Sequence, residues 1–142
     1  PLEQAIVVAA NLHKGNVGLF TPAVLSTCKP GCILVNVSRG ELTPTVDVLH
    51  ALKDGPLRGV GLDVYDEESR VAAYLRAPSA NGLLENPTVA ATVELMSRPD
   101  AILTPHNAFN TAEGLHRKAE QTMDAVSVFL GRGTFPNPCP AE

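Results

Sequence analysis

Polar side chains stand where predicted strands end, and their types suit chemistry on a small organic acid. Asn11 follows the first apolar run and Arg39 the second, Asp63 closes the third, and His106 follows the fourth. In an open α/β sheet, ligands collect at the carboxyl ends of the strands. An Arg can bind a carboxylate through two parallel hydrogen bonds, and a His exchanges protons near pH 7. Together these residues suit the reduction of a ketone or the oxidation of an alcohol.

Structural roles compete with these catalytic ones. An Arg after a strand is more often solvated or ion-paired than bound to a substrate. Asp63 could instead hydrogen-bond the backbone of the loop that follows it, and the acidic run Asp66–Glu68 could be a solvated loop. The other histidines have no partners at useful spacing, so a structural role is preferred for His13, His50 and His116.

The elements that must position these side chains alternate between strands and helices. Apolar runs typical of parallel strands buried on both faces span residues 5–10, 32–37 and 60–64, and a brief fourth strand is expected over 101–103. Thr21 and Thr43, each followed by Pro, predict the amino ends of two short helices between the strands. The order β-α-β-α-β predicts a parallel sheet with right-handed crossovers.

The second half of the chain is less regular. Residues 65–100 carry charges, prolines and small residues, and only residues 90–96 are expected to be helical. Asn110 and Glu113 resemble a capping box, and apolar residues at three- and four-residue steps predict a helix over about 110–131 that Gly131 ends. This helix carries an apolar stripe that must pack against another apolar surface.

Composition and charge argue against several classes of function. A net charge of −4 without a run of Lys or Arg gives no electrostatic footprint for nucleic acid or an anionic membrane. No apolar run approaches the roughly 20 residues of a membrane span. The cysteines, at positions 28, 32 and 139, have no Cys-x-x-Cys spacing, so neither a disulfide framework nor a metal site is expected, and the expected compartment is the reducing cytoplasm. The chain begins with Pro1 rather than Met, which leaves processing or truncation open.

The run from Lys29 to Leu42, KPGCILVNVSRGEL, resembles a signature of the D-isomer-specific 2-hydroxyacid dehydrogenases almost residue for residue. Residues 51–65 resemble the family's next helix and strand, and residues 102–106, ILTPH, resemble its His-bearing strand end. The resemblance covers nearly the whole chain. It implies an α/β fold, a partial Rossmann-like parallel sheet with a long C-terminal helix, in which residues 1–142 form the C-terminal part of an NAD-binding domain.

The resemblance also implies roles for individual residues. Arg39 would hold the carboxylate and keto oxygen of the substrate, His106 would exchange the proton with that oxygen, and Glu68 would hydrogen-bond His106. Ser69 follows Glu68 where Pro is common in the family, so Glu67 is the alternative partner. Hydride transfer would belong to the nicotinamide of NAD. The positions that resemble the family's cofactor site are Ala10, Asn11, Asn16, Val37, Ser38, Arg39 and Asp63.

Within the family, the sequence SRPD at 97–100 and the long segment before His106 look most like the D-lactate dehydrogenase branch, so D-lactate and pyruvate are the first expected substrate pair. No Gly-x-Gly-x-x-Gly occurs, so the cradle for the pyrophosphate would lie upstream. Two hypotheses follow. The chain is a segment of a working dehydrogenase, which could be a homodimer at full length, or a truncated, non-catalytic remnant that serves as a binding or interaction module.

Overall fold

The structure, a computed structural model, describes residues 4–78 and 82–137 of the chain. Cys139, one of the cysteines considered above, lies outside these residues. The chain divides into two compact units, Pro1–Asn107 and Ala108–Glu142. The first unit contains the sheet and every residue for which a catalytic or cofactor role is predicted, and the second contains the long helix.

The first unit is a parallel sheet with helices between its strands. Its four described strands pair in the order β1-β2-β3-β4, which confirms the predicted parallel sheet. The strands are β1 (Ala5–Val8), β2 (Cys32–Asn36), β3 (Leu57–Leu62) and β4 (Ala101–Leu103). The helices are α1 (Pro22–Leu25), α2 (Thr45–Lys53), α3 (Glu68–Arg76) and α4 (Pro87–Met96), and the second unit contains α5 (Ala112–Arg132).

The register of the sheet places the carboxyl ends of the strands side by side. Val8 pairs with Asn36, Asn36 with Leu62, and Leu62 with Leu103. Because the strands are parallel, the residues that follow these four lie along one edge of the sheet. The predicted catalytic residues all belong to loops or helix ends that follow this edge.

Apolar side chains at helical spacing pack the helices against the sheet. α2 buries Val48 and Leu52, and α4 buries Val89 and Leu95. In the sheet, β2 alternates between buried and half-buried residues, with Leu34 fully buried. Apolar burial contributes about 25 cal/mol per Å². This core therefore supplies the main stabilisation of the frame that carries the site.

The first strand is more exposed than its sequence predicts. Its apolar run predicts burial on both faces, but Val7 is 63% exposed and, of the residues of β1, only Val8 is buried. The prediction is wrong because β1 pairs with β2 alone among the described strands and so forms an edge of the sheet. At the other edge, Ile102 of β4 is 71% exposed.

Residues 65–100 are more helical than predicted. α3 was not expected, and α4 begins at Pro87 rather than near residue 90. Among the residues of α3 only Val71 is buried, so the helix lacks the apolar periodicity that identifies a packed helix in a sequence. The start of α4 carried a usable signal, since Asn86 precedes Pro87 and its Oδ1 accepts hydrogen bonds from the next helix N–H groups.

The two helices predicted from a Thr-Pro pair begin in different ways. The Thr21 side chain accepts a hydrogen bond from the N–H of Val24, as the sequence predicts for α1. Thr43 does not cap α2, whose first N–H, at Thr45, donates instead to the carboxylate of Asp66 at 3.2 Å. This contact ties the loop after β3 to the start of α2.

The long helix of the second unit, α5, begins and ends at slightly different residues from those predicted. Thr111, not Asn110, caps it, and its Oγ1 accepts from the N–H of Gly114 at 3.0 Å. At the other end the left-handed residue that stops the helix is Gly133 (φ 72°) and not Gly131. Both predicted boundaries are therefore wrong by one or two residues, while the helix itself is confirmed.

The apolar stripe of α5 receives little cover within its own unit. Met123 is 70% exposed and Leu130 is 80% exposed. Phe129 stacks on Phe135 with the ring centroids 4.6 Å apart. Across residues 4–78 and 82–137, no helix combines the length and the apolar character that crossing a membrane requires.

Gly40 allows the loop after β3 to lie directly against the loop after β2. A Cβ atom at this buried position would lie 2.0 Å from the carbonyl carbon of Tyr65 and 2.5 Å from the backbone nitrogen of Asp66. Backbone in a packed interior does not move aside easily. The loops that carry Arg39 and Glu68 therefore meet at a residue that must be glycine.

Gly40→Ala should destabilise the first unit by about 1–3 kcal/mol, because the added Cβ forces one of the two loops to move. Urea unfolding followed by circular dichroism measures the change. Gly131→Ala is the matched control, since a Cβ there meets nothing within 4 Å and alanine favours a helix. A Gly40→Ala protein as stable as the wild type would contradict the close approach of the loops.

Candidate active site

Asn36 organises the loop that follows β2. Its side chain is fully buried, its Nδ2 donates to the Arg39 carbonyl (2.8 Å) and to Thr43 Oγ1 (2.7 Å), and its Oδ1 accepts from the Ser38 N–H (2.9 Å). A buried amide is favourable only with such partners. Asn36 was not among the residues predicted from the sequence to form the site. The available signal was an amide-bearing residue at the end of an otherwise apolar strand.

Arg39 lies in the wall of two cavities. One, of about 260 Å³ and called here the polar cavity, is lined by Arg39, Gly40, Glu41, Tyr65, Glu67, Glu68, Ser69 and His106. The other, of about 300 Å³ and called here the β1–β2 cavity, is lined by Ala10, Asn11, Leu12, Ser38 and Arg39. The Arg39 backbone is extended, and its Nη1 donates to the Ser38 carbonyl at 2.8 Å. Arg39 thus stands between the residues with predicted cofactor roles and those with predicted catalytic roles.

Glu68 and His106 both line the polar cavity and are in contact with each other. His106 Nδ1 lies 3.1 Å from Glu68 Oε2, and the two side chains are about two-fifths exposed. Glu67 is engaged elsewhere, with its Oε2 at 2.9 Å from Asn86 Nδ2 and 3.2 Å from Arg70 Nε. Of the two carboxylates that the sequence left open, Glu68 is the one that contacts the imidazole. The partner of one ring nitrogen sets the orientation and tautomer of the other.

The loop that carries His106 is held in an uncommon backbone conformation. His106 is left-handed (φ 50°), which for a residue other than glycine costs on the order of 1 kcal/mol. Its N–H donates to the carbonyls of Asp63 (2.8 Å) and Thr104 (3.0 Å). The Asp63 carboxylate accepts from Thr104 Oγ1 (2.5 Å) and from the Asn107 N–H (2.7 Å). The loop is thus fixed on both sides of His106.

Asp63 makes these contacts from a buried position, where it is 4% exposed. From the sequence, Asp63 is predicted to lie near the cofactor or to hydrogen-bond the loop that follows its own strand. Its carboxylate binds the loop after the neighbouring strand β4, which the pairing of Leu62 with Leu103 brings within reach. A buried carboxylate is tolerated when it is hydrogen-bonded in this way.

The residues with predicted cofactor roles do not all meet. Ala10, Asn11 and Ser38 line the β1–β2 cavity, where the Ser38 hydroxyl donates to the Ala10 carbonyl. Asn16 is not a lining residue, and its Nδ2 donates to the Asn11 carbonyl at 2.8 Å. Val37 is also outside the lining and is 43% exposed.

Tyr65 lines the polar cavity, although no role is predicted for it from the sequence. Its hydroxyl donates to the Thr104 carbonyl, and its backbone N–H donates to Glu68 Oε1 at 3.3 Å. Burial, followed by the negative charges of Asp63 and Glu68, raises the pKa of Tyr65 to about 12. The phenol therefore keeps its proton and remains a hydrogen-bond donor through the neutral range.

Asp66 holds the loop after β3 against the start of α2. Burial raises the pKa of its carboxyl group, as do the neighbouring charges of Glu41, Glu67 and Asp47, whereas the hydrogen bond from the Thr45 N–H acts in the opposite direction. The acidic run, which could have been a solvated loop, thus makes specific contacts. Asp66 binds the start of α2, and Glu68 contacts His106.

Residues 3–108 match the family model described as D-isomer specific 2-hydroxyacid dehydrogenase, NAD binding domain. The chain is 34% identical over 138 residues to 2-hydroxyacid dehydrogenase A of Aspergillus oryzae, covering 96% of this chain and 38% of that protein. It is 32% identical over 122 residues to D-lactate dehydrogenase of Staphylococcus aureus, covering 86% of this chain and 35% of that protein.

A solved structure of D-lactate dehydrogenase from Aquifex aeolicus, complexed with NAD and lactic acid, has a similar fold. The TM-score is 0.75 at 25% sequence identity, and the match covers 95% of this chain and 41% of that one. Across these three relatives the chain spans between 35% and 41% of the relative's length.

Alkaline titration should show that the Tyr65 phenol resists ionisation. The chain has two tyrosines, so the difference in tyrosinate absorbance between the wild type and Tyr65→Phe isolates Tyr65, with an expected midpoint near pH 12. Because this pKa lies above the ordinary 10.0, the stability from the protonated phenol is complete below about pH 10 and is lost as pH rises toward 12. A midpoint at the ordinary value would contradict the burial and hydrogen bond described.

Proposed function

Because this chain belongs to the D-isomer-specific 2-hydroxyacid dehydrogenase family, we propose that it is the C-terminal part of the NAD-binding domain of an enzyme that interconverts a D-2-hydroxy acid and its 2-keto acid. D-lactate and pyruvate are the first substrate pair we assign to it. The observation that carries the proposal is the meeting of Arg39, Glu68 and His106 around the polar cavity.

We assign Arg39 to the substrate carboxylate. A guanidinium presents two parallel N–H groups that match the two oxygens of a carboxylate, and a second donor can reach the keto oxygen. Its place in the wall of both cavities supports this role, because the substrate must lie between the cofactor and the proton donor.

We assign proton exchange with the substrate oxygen to His106. Glu68 faces Nδ1 of the ring, so the exchange is assigned to Nε2. The imidazolium donates a proton to the keto oxygen during keto-acid reduction, and the neutral imidazole accepts a proton from the hydroxyl group during hydroxy-acid oxidation. Glu68 holds the ring in the orientation that this exchange requires.

The β1–β2 cavity fits the nicotinamide end of NAD. It is small and has polar walls, with Asn11, Ser38 and Arg39 at the carboxyl ends of two adjacent strands. When bound, the nicotinamide exchanges a hydride with the substrate carbon that carries the oxygen. Asn16 supports the Asn11 loop, and Asp63 supports the His106 loop. The sequence has no Gly-x-Gly-x-x-Gly, so these residues do not form the usual phosphate cradle.

The test compares this chain with an extended protein, in which it is preceded by the upstream part of the Aspergillus oryzae relative. We expect the extended protein to oxidise NADH with pyruvate, and we expect no turnover from the chain alone. Turnover by the chain alone would refute the claim that it is a partial domain. An extended protein that folds and binds NADH but reduces no 2-keto acid would favour a non-catalytic binding module.

In the extended protein, Arg39→Lys should lower kcat/KM on the order of a hundredfold, because an ammonium cannot reproduce the two parallel hydrogen bonds. Steady-state kinetics with pyruvate measures the effect. Arg58→Lys makes the same chemical change at an exposed position of β3 and should leave the kinetics near those of the wild type. Equal kinetics for wild type and Arg39→Lys would refute the assigned role.

A further inference from the structure

We propose that Tyr65 is a positioning residue that sets the geometry of the Glu68–His106 pair, an inference that rests on the function proposed above. Tyr65 bonds Glu68 directly and, through a different atom, bonds the loop that carries His106. Its backbone N–H reaches the Glu68 carboxylate, and its hydroxyl reaches the residue two positions before His106.

On the Glu68 side, the two carboxylate oxygens have separate partners. Oε1 accepts from the Tyr65 N–H at 3.3 Å, and Oε2 faces His106 Nδ1 at 3.1 Å. Glu68 is the first residue of α3, and the residue before it, Glu67, has a left-handed backbone (φ 52°). The contact with Tyr65 therefore fixes which oxygen is presented to the imidazole.

On the His106 side, the Thr104 carbonyl accepts two hydrogen bonds. One comes from the Tyr65 hydroxyl and the other from the His106 N–H at 3.0 Å. The left-handed backbone of His106 persists only while its surroundings hold it. By fixing the Thr104 carbonyl, the Tyr65 hydroxyl fixes an acceptor on which the His106 conformation depends.

The hydroxyl can be separated from the ring in an experiment. The half-buried ring of Tyr65 packs against the hydrophobic core, so phenylalanine preserves the packing and removes only the donor. The raised pKa of the phenol, about 12, keeps that donor protonated at the pH of any kinetic assay. Loss of the hydroxyl should let the Thr104 carbonyl move and lengthen the contact between His106 and Glu68.

The first measurement uses this chain itself, with the imidazole nitrogens of His106 observed by ¹⁵N NMR at neutral pH. In Tyr65→Phe the His106 signals should move in the same direction as in Glu68→Gln, because both changes weaken the contact at Nδ1. Tyr74→Phe is the matched control, since Tyr74 is also half-buried but lines neither the polar cavity nor the β1–β2 cavity. His106 signals that are unchanged in Tyr65→Phe would overturn the proposal.

A second form of Tyr65 covers the case in which Tyr65→Phe fails to fold. Difluorotyrosine at position 65 keeps the ring and loses its phenolic proton at a lower pH, so the donor can be removed in a folded protein by raising the pH. The His106 signals should then move as the substituted phenol ionises, beyond any change that the wild type shows over the same range. Signals that follow the wild type throughout would overturn the proposal.

The second measurement is kinetic and uses the extended protein. Tyr65→Phe should lower kcat by about three- to tenfold, the effect of one hydrogen bond on a rate, and leave KM for pyruvate within about twofold because Arg39 is unchanged. A purely structural loss would move both constants or follow the thermal stability, and it would overturn the positioning role. If the unmutated extended protein has no activity, the proposed function fails, whereas the NMR result still decides the role of Tyr65.

Discussion

The hydrogen bonds of the buried Asp63 carboxylate are the interaction on which the candidate site depends. Asp63 is the first residue after β3, and its Oδ1 accepts hydrogen bonds from the hydroxyl of Thr104 and the N–H of Asn107. Desolvating a carboxylate is unfavourable unless donors replace the lost water, and here the replacement donors flank His106. The same contacts that satisfy a buried charge therefore hold a histidine in a left-handed conformation beside Glu68.

A comparable constraint acts on the other side of the polar cavity. Asn36 turns the chain after β2 so that Arg39 leaves the sheet in an extended conformation, and Gly40 lets the loop after β3 approach closely enough for Glu68 to reach His106. The groups with assigned chemical roles are partly exposed, whereas Asn36, Gly40 and Asp63 beneath them are buried. The candidate site thus rests on buried residues, of which Asn36 and Asp63 line neither the polar cavity nor the β1–β2 cavity.

The sequence by itself determined the sheet and the edge of the sheet that carries the candidate site. Short apolar runs separated by Thr-Pro signals are sufficient for a parallel order, and a parallel order places Asn11, Arg39 and His106 at one edge whatever the details of packing. The motif from Lys29 to Leu42 pointed to the dehydrogenase family, which the match over residues 3–108 shows. These features are encoded locally, in patterns a few residues long.

Only the tertiary structure decided the contacts between distant residues. The choice between Glu67 and Glu68 depends on the backbone turn that begins α3, a helix that the sequence conceals because Val71 alone among its residues is buried. Tyr65 and Asp63 reach Thr104 across about forty positions of sequence. Hydrogen bonds of this range leave no periodicity in a chain, because they arise only after two strands have paired and brought the following loops together.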